Sequence, residues 1–378
     1  MAWCCVIASE ARQSMTPKRV LAVVSDAFGG HGGIATFNRG FLTAVAAMPE
    51  VASVQVLARL AEQDEQLPAK LTQDDHATGS KAAYLKTLLL MLLAESFDLV
   101  ICGHINLLPF ARLAQMRCRS PLALVVHGID VQQASDRMGL RYLARRVDLL
   151  ISVSDLTRQR FLQWAPLKHG RTSILANCVD LQRFTPGPKS QTLMDRYVLH
   201  GKQVLMTFGR LAGRDRYKGF DEVLEVLPQL LNTRPDLVYL IVGDGPDRQR
   251  LQAKAQALGI STAVVFSGRI AEPEKVDHYR LADLYVMPSR GEGFGIVILE
   301  ALACGIPVIG SRVDGTREAL LNGKLGELVD PGNPVELIET IERRLRSAEK
   351  GRPQGLETFS AGAFAQRTQQ IVGQMVTG

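Results

Sequence analysis

The stretch "PSRGEGFGIVILEALACGIPVIG" (288–310) holds two carboxylates in surroundings that disfavour charge. Glu292 sits among Gly291, Gly293 and Gly295, and Glu300 lies eight residues on, in a run otherwise of Ile, Val, Leu, Ala and Cys. A helix from about Gly295 to Cys304 would be apolar on every side except at Glu300, and such a helix is buried. A buried carboxylate is unfavourable unless hydrogen-bonded. The neighbouring sequence offers it no obvious protein partner, so a ligand with donor groups is the candidate. A second stretch, "TFGRLAGRDRYKGFDEVL", ends an apolar run with Gly209 and Arg210 and reaches Lys218 and Gly219 before a helical pattern. Arg forks across phosphate oxygens and Lys acts as a point charge, so this pair suits a diphosphate. A third, "SDAFGGHGGIATF", places Gly29, Gly30, Gly32 and Gly33 between an apolar run and a helical pattern. Its backbone can turn tightly against a ligand, and a helix amino end favours negative charge.

These residues need elements to hold them. Apolar runs at 20–25, 53–58, 98–103, 122–128, 148–154 and 172–177 alternate with helical patterns. The segment 177–190, "NCVDLQRFTPGPKS", breaks the rhythm with turn formers and reads as a linker. The rhythm restarts with runs at 203–209, 237–243, 263–268, 282–289, 306–311 and 326–330, and a last helical pattern covers about 358–376. Short buried strands alternating with helices predict an α/β chain of two doubly wound, Rossmann-like units with parallel sheets. Ligand loops then lie at the carboxyl ends of the strands, and two substrates can meet between the units. The expected boundaries are an extension at 1–17, an N-terminal unit at 18–185, a C-terminal unit at 186–357 and a final helix at 358–378. "MAWCCVIASEARQS" lacks a basic leader, which argues against a signal peptide; translation starting at Met15 fits equally well.

With 46% hydrophobic and 22% charged residues over 378 positions, the chain is a globular protein of about two domains. Mean hydropathy is near zero, and the longest apolar stretches are too short or too interrupted to span a membrane. Six cysteines (4, 5, 102, 118, 178 and 304) form no CxxC pair, as expected of buried thiols in a reducing, cytoplasmic setting. The net charge of +6 is uneven: residues 1–185 carry 20 Lys and Arg against 15 Asp and Glu, the rest 24 against 23. Arg137, Arg141 and Arg145, beside Arg146, repeat at i, i+4 and predict a basic helical stripe. It suits either plain solvent exposure or anionic lipid or phosphate groups. Without interleaved aromatics or a recognition motif, nucleic acid is not an expected partner. Gly30, Gly32 and Ala35 satisfy a dinucleotide pattern, but the second strand ends at Arg59 rather than an acid, which disfavours a nicotinamide or flavin cofactor.

Taken in order, the glycine loop, Arg210 and Lys218, "VGDGP" and the Glu-x7-Glu motif from Glu292 to Glu300, between "MPSRG" and "ALACGIPVIGS", resemble a retaining glycosyltransferase of family 4 with the GT-B fold. The resemblance covers nearly everything from about residue 18. It implies a donor site for a nucleoside diphosphate sugar that includes Gly32 and Gly33. Glu300 would accept the ribose hydroxyls, Glu292 would hold donor-sugar hydroxyls, and Gly293, Phe294, Gly295 and Ile296 would present main-chain N–H groups. Arg210 and Lys218 would neutralise the diphosphate in place of a metal, so no cofactor is expected. The longer loop also leaves Arg214 or Arg216 as sharers of that role. Gly268, Arg269 and Ile270 would hold the base, and His127 would approach the sugar's 6-hydroxyl, although a strand-end histidine also suits a structural role. Asp130 is a weaker candidate for the acceptor. The last helix would cross back to the N-terminal unit.

The implied reaction moves a glucose- or mannose-type hexosyl group from a UDP- or GDP-sugar to a hydroxyl of a glycan, lipid-linked sugar or other acceptor, with retention. Bacterial surface polysaccharide or glycoconjugate synthesis, at the inner membrane face, is the expected setting. An epimerase or phosphorylase on the same fold, or a non-catalytic subunit, are the rival readings. Pyridoxal-type phosphorolysis would need a cofactor lysine that the sequence does not single out.

Overall fold

Val20 through Val24 are five consecutive residues without solvent exposure, the mark of a central strand covered on both faces. The computed structural model describes residues 16–60, 66–74, 76–131, 138–213, 216–347 and 350–376. The N-terminal extension to residue 15, Arg137 and Arg214 lie outside these.

The first sheet contains β1 (Lys18–Asp26), β2 (Val51–Leu60), β3 (Leu71–Asp74), β4 (Leu99–Cys102), β5 (Leu122–Val126), β6 (Leu149–Ser152) and β7 (Arg171–Ile174). Its order is β3-β2-β1-β4-β5-β6-β7, with parallel pairings throughout. The connecting helices are α1 (Gly33–Ala46), α2 (Lys81–Ala94), α3 (Leu108–Cys118), α4 (Met138–Ala144) and α5 (Asp155–Trp164). After α6 (Gln191–Arg196), the second sheet is built from β8 (Gln203–Phe208), β9 (Leu237–Val242), β10 (Val264–Gly268), β11 (Leu284–Val286), β12 (Val308–Ser311) and β13 (Glu327–Val329). It is also parallel, ordered β10-β9-β8-β11-β12-β13. Its helices are α7 (Phe220–Thr233), α8 (Arg248–Ala257), α9 (Lys275–Leu281), α10 (Ile296–Ala303), α11 (Thr316–Ala319) and α12 (Pro334–Arg346), followed by α13 (Ala361–Val376). The strand order reverses beside β1 and beside β8, and the glycine loop and the Arg210 loop leave these two strands at the points where such sheets open a crevice.

The final helix packs on the first sheet's side. Phe364 of α13 meets Phe37 of α1 edge-on at 5.4 Å, and Val179 of the linker bonds to the Phe359 carbonyl at 2.9 Å. Of the expected basic stripe, Arg137 lies outside the described residues; Arg141 is on α4, and Arg145 follows its last residue with its N–H still bonded to the Arg141 carbonyl at 3.2 Å. Arg141 donates to the Trp164 carbonyl at 3.3 Å, and Arg146 stacks over the Tyr142 ring at 3.6 Å. Cys102, Cys118, Cys178 and Cys304 are free thiols. Burial pushes Cys102 and Cys304 up to about 12 and Cys178 up to about 11.

Candidate functional site

A cleft of about 790 Å³ lies between the carboxyl edges of the two sheets. It is lined by the glycine loop (including Gly32 and Gly33), His127, Arg210, Lys218, Glu292, Gly293, Phe294, Gly295 and Ile296. Twelve of the residues picked out by chemistry and resemblance, Gly29 and Gly30 among them, therefore share one cavity. Glu300, Asp130, Gly268, Arg269 and Ile270 do not line it. Gly268 instead gives its carbonyl to the Gly243 N–H at 3.2 Å. Arg216 points away, to within 4.0 Å of Asp247.

Local geometry explains the loop shapes. Gly209 and Leu211 bond to the Val242 and Asp244 carbonyls at 2.9 and 3.0 Å, so "VGDGP" is the shoulder on which the Arg210 loop rests. The Arg210 side chain is exposed at the cleft and has no side-chain partner among the described residues. Lys218 reaches Glu292, with Nζ 2.7 Å from Oε2. Burial alone would lower the Lys218 pKa, but the Glu292 carboxylate outweighs it and holds the ammonium above its ordinary value. At neutral pH Lys218 is a full cation aimed into the cleft. Beside it, α10 starts behind Gly295 (φ 96°) with no side chain capping its first turn. Its leading N–H groups and its dipole favour an anion.

Glu300 is 5% exposed, as the apolar helix predicted. It nevertheless has protein partners, which corrects the expectation of none. Lys275 Nζ donates to Oε1 at 2.6 Å and the Tyr279 hydroxyl to Oε2 at 2.7 Å. Both donors sit on α9 at i, i+4 and so project from one face. Lys275 lines the cleft, with its ammonium 5.4 Å from the Phe208 ring and 5.7 Å from that of Phe184. It stands between Glu300 and the cavity and was not picked out from the sequence.

His127 Nε2 lies 2.9 Å from the Gly103 carbonyl. A carbonyl only accepts, so Nε2 carries the proton and Nδ1 of the neutral ring is left as an acceptor. Asp130 Oδ1 accepts the N–H groups of His127 and Gly128 at 3.0 and 2.8 Å. Its visible work is to fix the histidine's backbone.

The Glu292 loop is gripped from both sheets. Asp314 Oδ2 accepts the Glu292 N–H at 2.8 Å, and the Gly315 N–H donates to the Glu292 carbonyl at 2.9 Å. From the first sheet, Ser154 Oγ donates to the Gly293 carbonyl at 2.7 Å. A Cβ on Gly293 would lie 2.0 Å from the His127 carbonyl oxygen, so no other residue fits there. Next to this contact Glu318 caps α5 across the seam, its oxygens accepting from the Asp155 and Leu156 N–H groups at 2.7 and 3.0 Å. Asp155, which would repel Glu318, is itself neutralised by Arg158 at 2.6 Å. Ser154, Asp314 and Glu318 were not anticipated, because nothing in their spacing says which loop they will face.

Burial pushes the Asp314 carboxyl up from 3.8 to about 6. Between these values the folded protein holds a proton that the unfolded chain has released, so this group's stabilisation is full at low pH and is lost as pH rises through about 6. The amount is about 3 kcal/mol. Denaturant unfolding of Asp314→Asn between pH 4 and 7.5 should lack this falling component. An unchanged profile would show that Asp314 does not titrate there.

Comparison with known proteins brings the two halves together. Residues 32–183 match the model described as Glycosyltransferase Family 4, and residues 193–354 match Glycosyl transferases group 1. A GDP-mannose-dependent alpha-(1-6)-phosphatidylinositol monomannoside mannosyltransferase of Mycolicibacterium smegmatis is 36% identical over 250 residues, 61% of this chain and 63% of that protein's own length. A monoacylated-substrate counterpart from Corynebacterium glutamicum is 32% identical over 285 residues, 71% of each chain. Among solved structures, Anabaena Alr3699/HepE in complex with UDP-glucose superposes with a TM-score of 0.76 at 20% identity, over 94% of this chain and 100% of that one. Sucrose-phosphate synthase from Thermosynechococcus elongatus gives 0.74 at 21% identity, over 95% and 100%. These structures share the GT-B fold. The sequence matches run through both sheets and both walls of the cleft, and on that ground the chain belongs to glycosyltransferase family 4.

Proposed function

We propose that this protein is a retaining hexosyltransferase that moves mannose from GDP-mannose to a hydroxyl of an inositol-bearing lipid. The observation that carries the transfer chemistry is the Lys218–Glu292 pair at 2.7 Å, set with Arg210 beside the uncapped start of α10. The donor and acceptor classes rest on the printed activities of the relatives. These include, besides the mannosyltransferases, a D-inositol 3-phosphate glycosyltransferase of Corynebacterium jeikeium, 32% identical over 57% of this chain and 53% of that protein.

Bond cleavage puts negative charge on the departing diphosphate. The first-turn N–H groups of α10 are fixed in place before that charge appears, which is how such groups lower a barrier, and Lys218 and Arg210 stand beside them ready to turn onto the phosphate. Donor binding exchanges the Lys218–Glu292 pair for two productive contacts: the ammonium turns to phosphate, and the carboxylate accepts sugar hydroxyls. His127 Nδ1 accepts a further sugar hydroxyl. The acceptor's hydroxyl attacks from the face that the leaving group vacates and passes its proton to the departing phosphate. We take residues 18–185 as the acceptor-side unit and 186–357 as the donor-side unit, with closure of the cleft excluding water.

Thermal stabilisation by a panel of GDP-mannose, UDP-glucose and ADP-glucose tests the donor. GDP-mannose should give the largest shift, and nucleotide release should then depend on added phosphatidylinositol and persist in excess EDTA. Release without acceptor would favour a hydrolase, an altered nucleotide sugar without release would favour an epimerase, and stabilisation by UDP-glucose alone would overturn the GDP-mannose assignment.

A further inference from the structure

Fourteen large hydrophobic side chains are exposed among the described residues, and eight of them lie on α2, α3 and α4. On α2 they are Leu85, Leu89, Leu90 and Leu93, the last two 56% and 75% exposed. The helix "KAAYLKTLLLMLLA" buries Tyr84, Leu88 and Leu92 on one side and shows an almost wholly apolar surface on the other. The next helix adds Leu113 and Met116, and α4 adds Met138 and Tyr142. All three bury their inner faces in the same core cluster, so their outer faces form one layer. A contiguous exposed apolar patch of this kind marks an interaction surface.

The charges carried by these three helices have one sign. Together α2, α3 and α4 contain Lys81, Lys86, Arg112, Arg117 and Arg141 and no Asp or Glu. The acids that follow α2, Glu95 and Asp98, are turned back onto Arg19 and Lys18. A two-fold interface between copies of this chain would set these cations against one another. An anionic bilayer surface opposes them with phosphates and offers the leucines the boundary between headgroups and acyl chains. At 14 residues, about 21 Å long, α2 is suited to lie along that boundary rather than cross it. No described helix is long and apolar enough to cross a membrane. Because a crossover in a parallel sheet begins at the carboxyl edge of its strands, α2 starts at the edge where the cleft opens.

We infer that the outer face of α2, flanked by α3 and α4, docks on an anionic lipid bilayer and brings the cleft to an acceptor held in that surface. The bilayer's use to the protein rests on the lipid acceptor proposed above, but the docking itself needs neither donor nor acceptor. Two failures are therefore distinguishable: vesicle binding by a protein that transfers no sugar would leave the docking standing and remove only its purpose.

The test is flotation of the full chain with vesicles of phosphatidylcholine alone or with about one third phosphatidylglycerol. The parent should float with the anionic vesicles and lose that binding as salt rises. Leu90→Glu with Leu93→Glu should weaken binding at least about a hundredfold while leaving the melting temperature and the GDP-mannose shift unchanged. Lys81→Glu with Lys86→Glu should weaken binding to the anionic vesicles roughly tenfold or more. Undiminished flotation of the leucine variant would overturn the inference. So would a parent dimer, insensitive to vesicles, that the leucine substitutions convert to monomer.

Discussion

Lys218→Ala should lower kcat/KM by about three to four orders of magnitude, the loss expected when a fixed charge on a departing group is removed. Its stem fits against Gly209, where a Cβ would come within 2.8 Å of Lys218 Cδ, so the bulkier fork of Arg is not an equivalent replacement. The alanine variant has a second effect that sequence alone does not suggest. With side chains only 16% and 17% exposed, Lys218 and Glu292 neutralise each other in the donor-free cleft. Removing one strands the other, at about 3 kcal/mol. Lys218→Ala with Glu292→Gln should therefore recover most of the lost stability and none of the activity. Unfolding curves and steady-state kinetics on the four members of this cycle separate the two effects. Full activity in the single variant, or a double variant as active as the parent, would remove Lys218 from the chemistry.

Glu300→Ala is the other large effect. The sequence alone suggests an active-site defect in an intact fold. The structure changes that expectation, because truncation leaves the Lys275 ammonium, 15% exposed, without its anion and the buried Tyr279 hydroxyl without its acceptor. Burial first, and then Glu300, raise the Tyr279 pKa, so the hydroxyl stays a neutral donor. A destabilisation of about 3 kcal/mol should accompany the loss of donor binding. Lys275→Met combined with Glu300→Ala tells a ligand-binding carboxylate from a structural one. If Glu300 receives the ribose hydroxyls through its remaining lone pairs, the double variant regains stability but still shows no GDP-mannose shift. Recovery of both would leave Glu300 a purely structural anion.

The contrast between these two carboxylates shows what could be read from the chain. Strands such as Val20–Val24 announce themselves because burial on both faces leaves an unbroken apolar run. Glycine loops and cations at strand ends were legible because position along the chain fixes their place on the sheet edge. The edge strand Leu71–Asp74 was missed, since among its four residues only Leu71 is buried and an edge needs no apolar run. The partners of Glu300 were missed for another reason. Lys275 and Tyr279 stand 25 and 21 residues away, on a seven-residue helix whose facing depends on tertiary packing.

The backbone around Gly293 has one more implication. Its carbonyl is held by Ser154 of the first sheet, while Glu292 beside it is held by Lys218 and Asp314 of the second. If this segment holds the donor as proposed, rotating the lobes apart would relax its grip, and loading the donor would favour the closed lobes by an equal free energy. Glu318 at the α5 cap is a second contact across the seam, outside the cleft, so its removal would loosen the proposed coupling without altering any residue that lines the cavity.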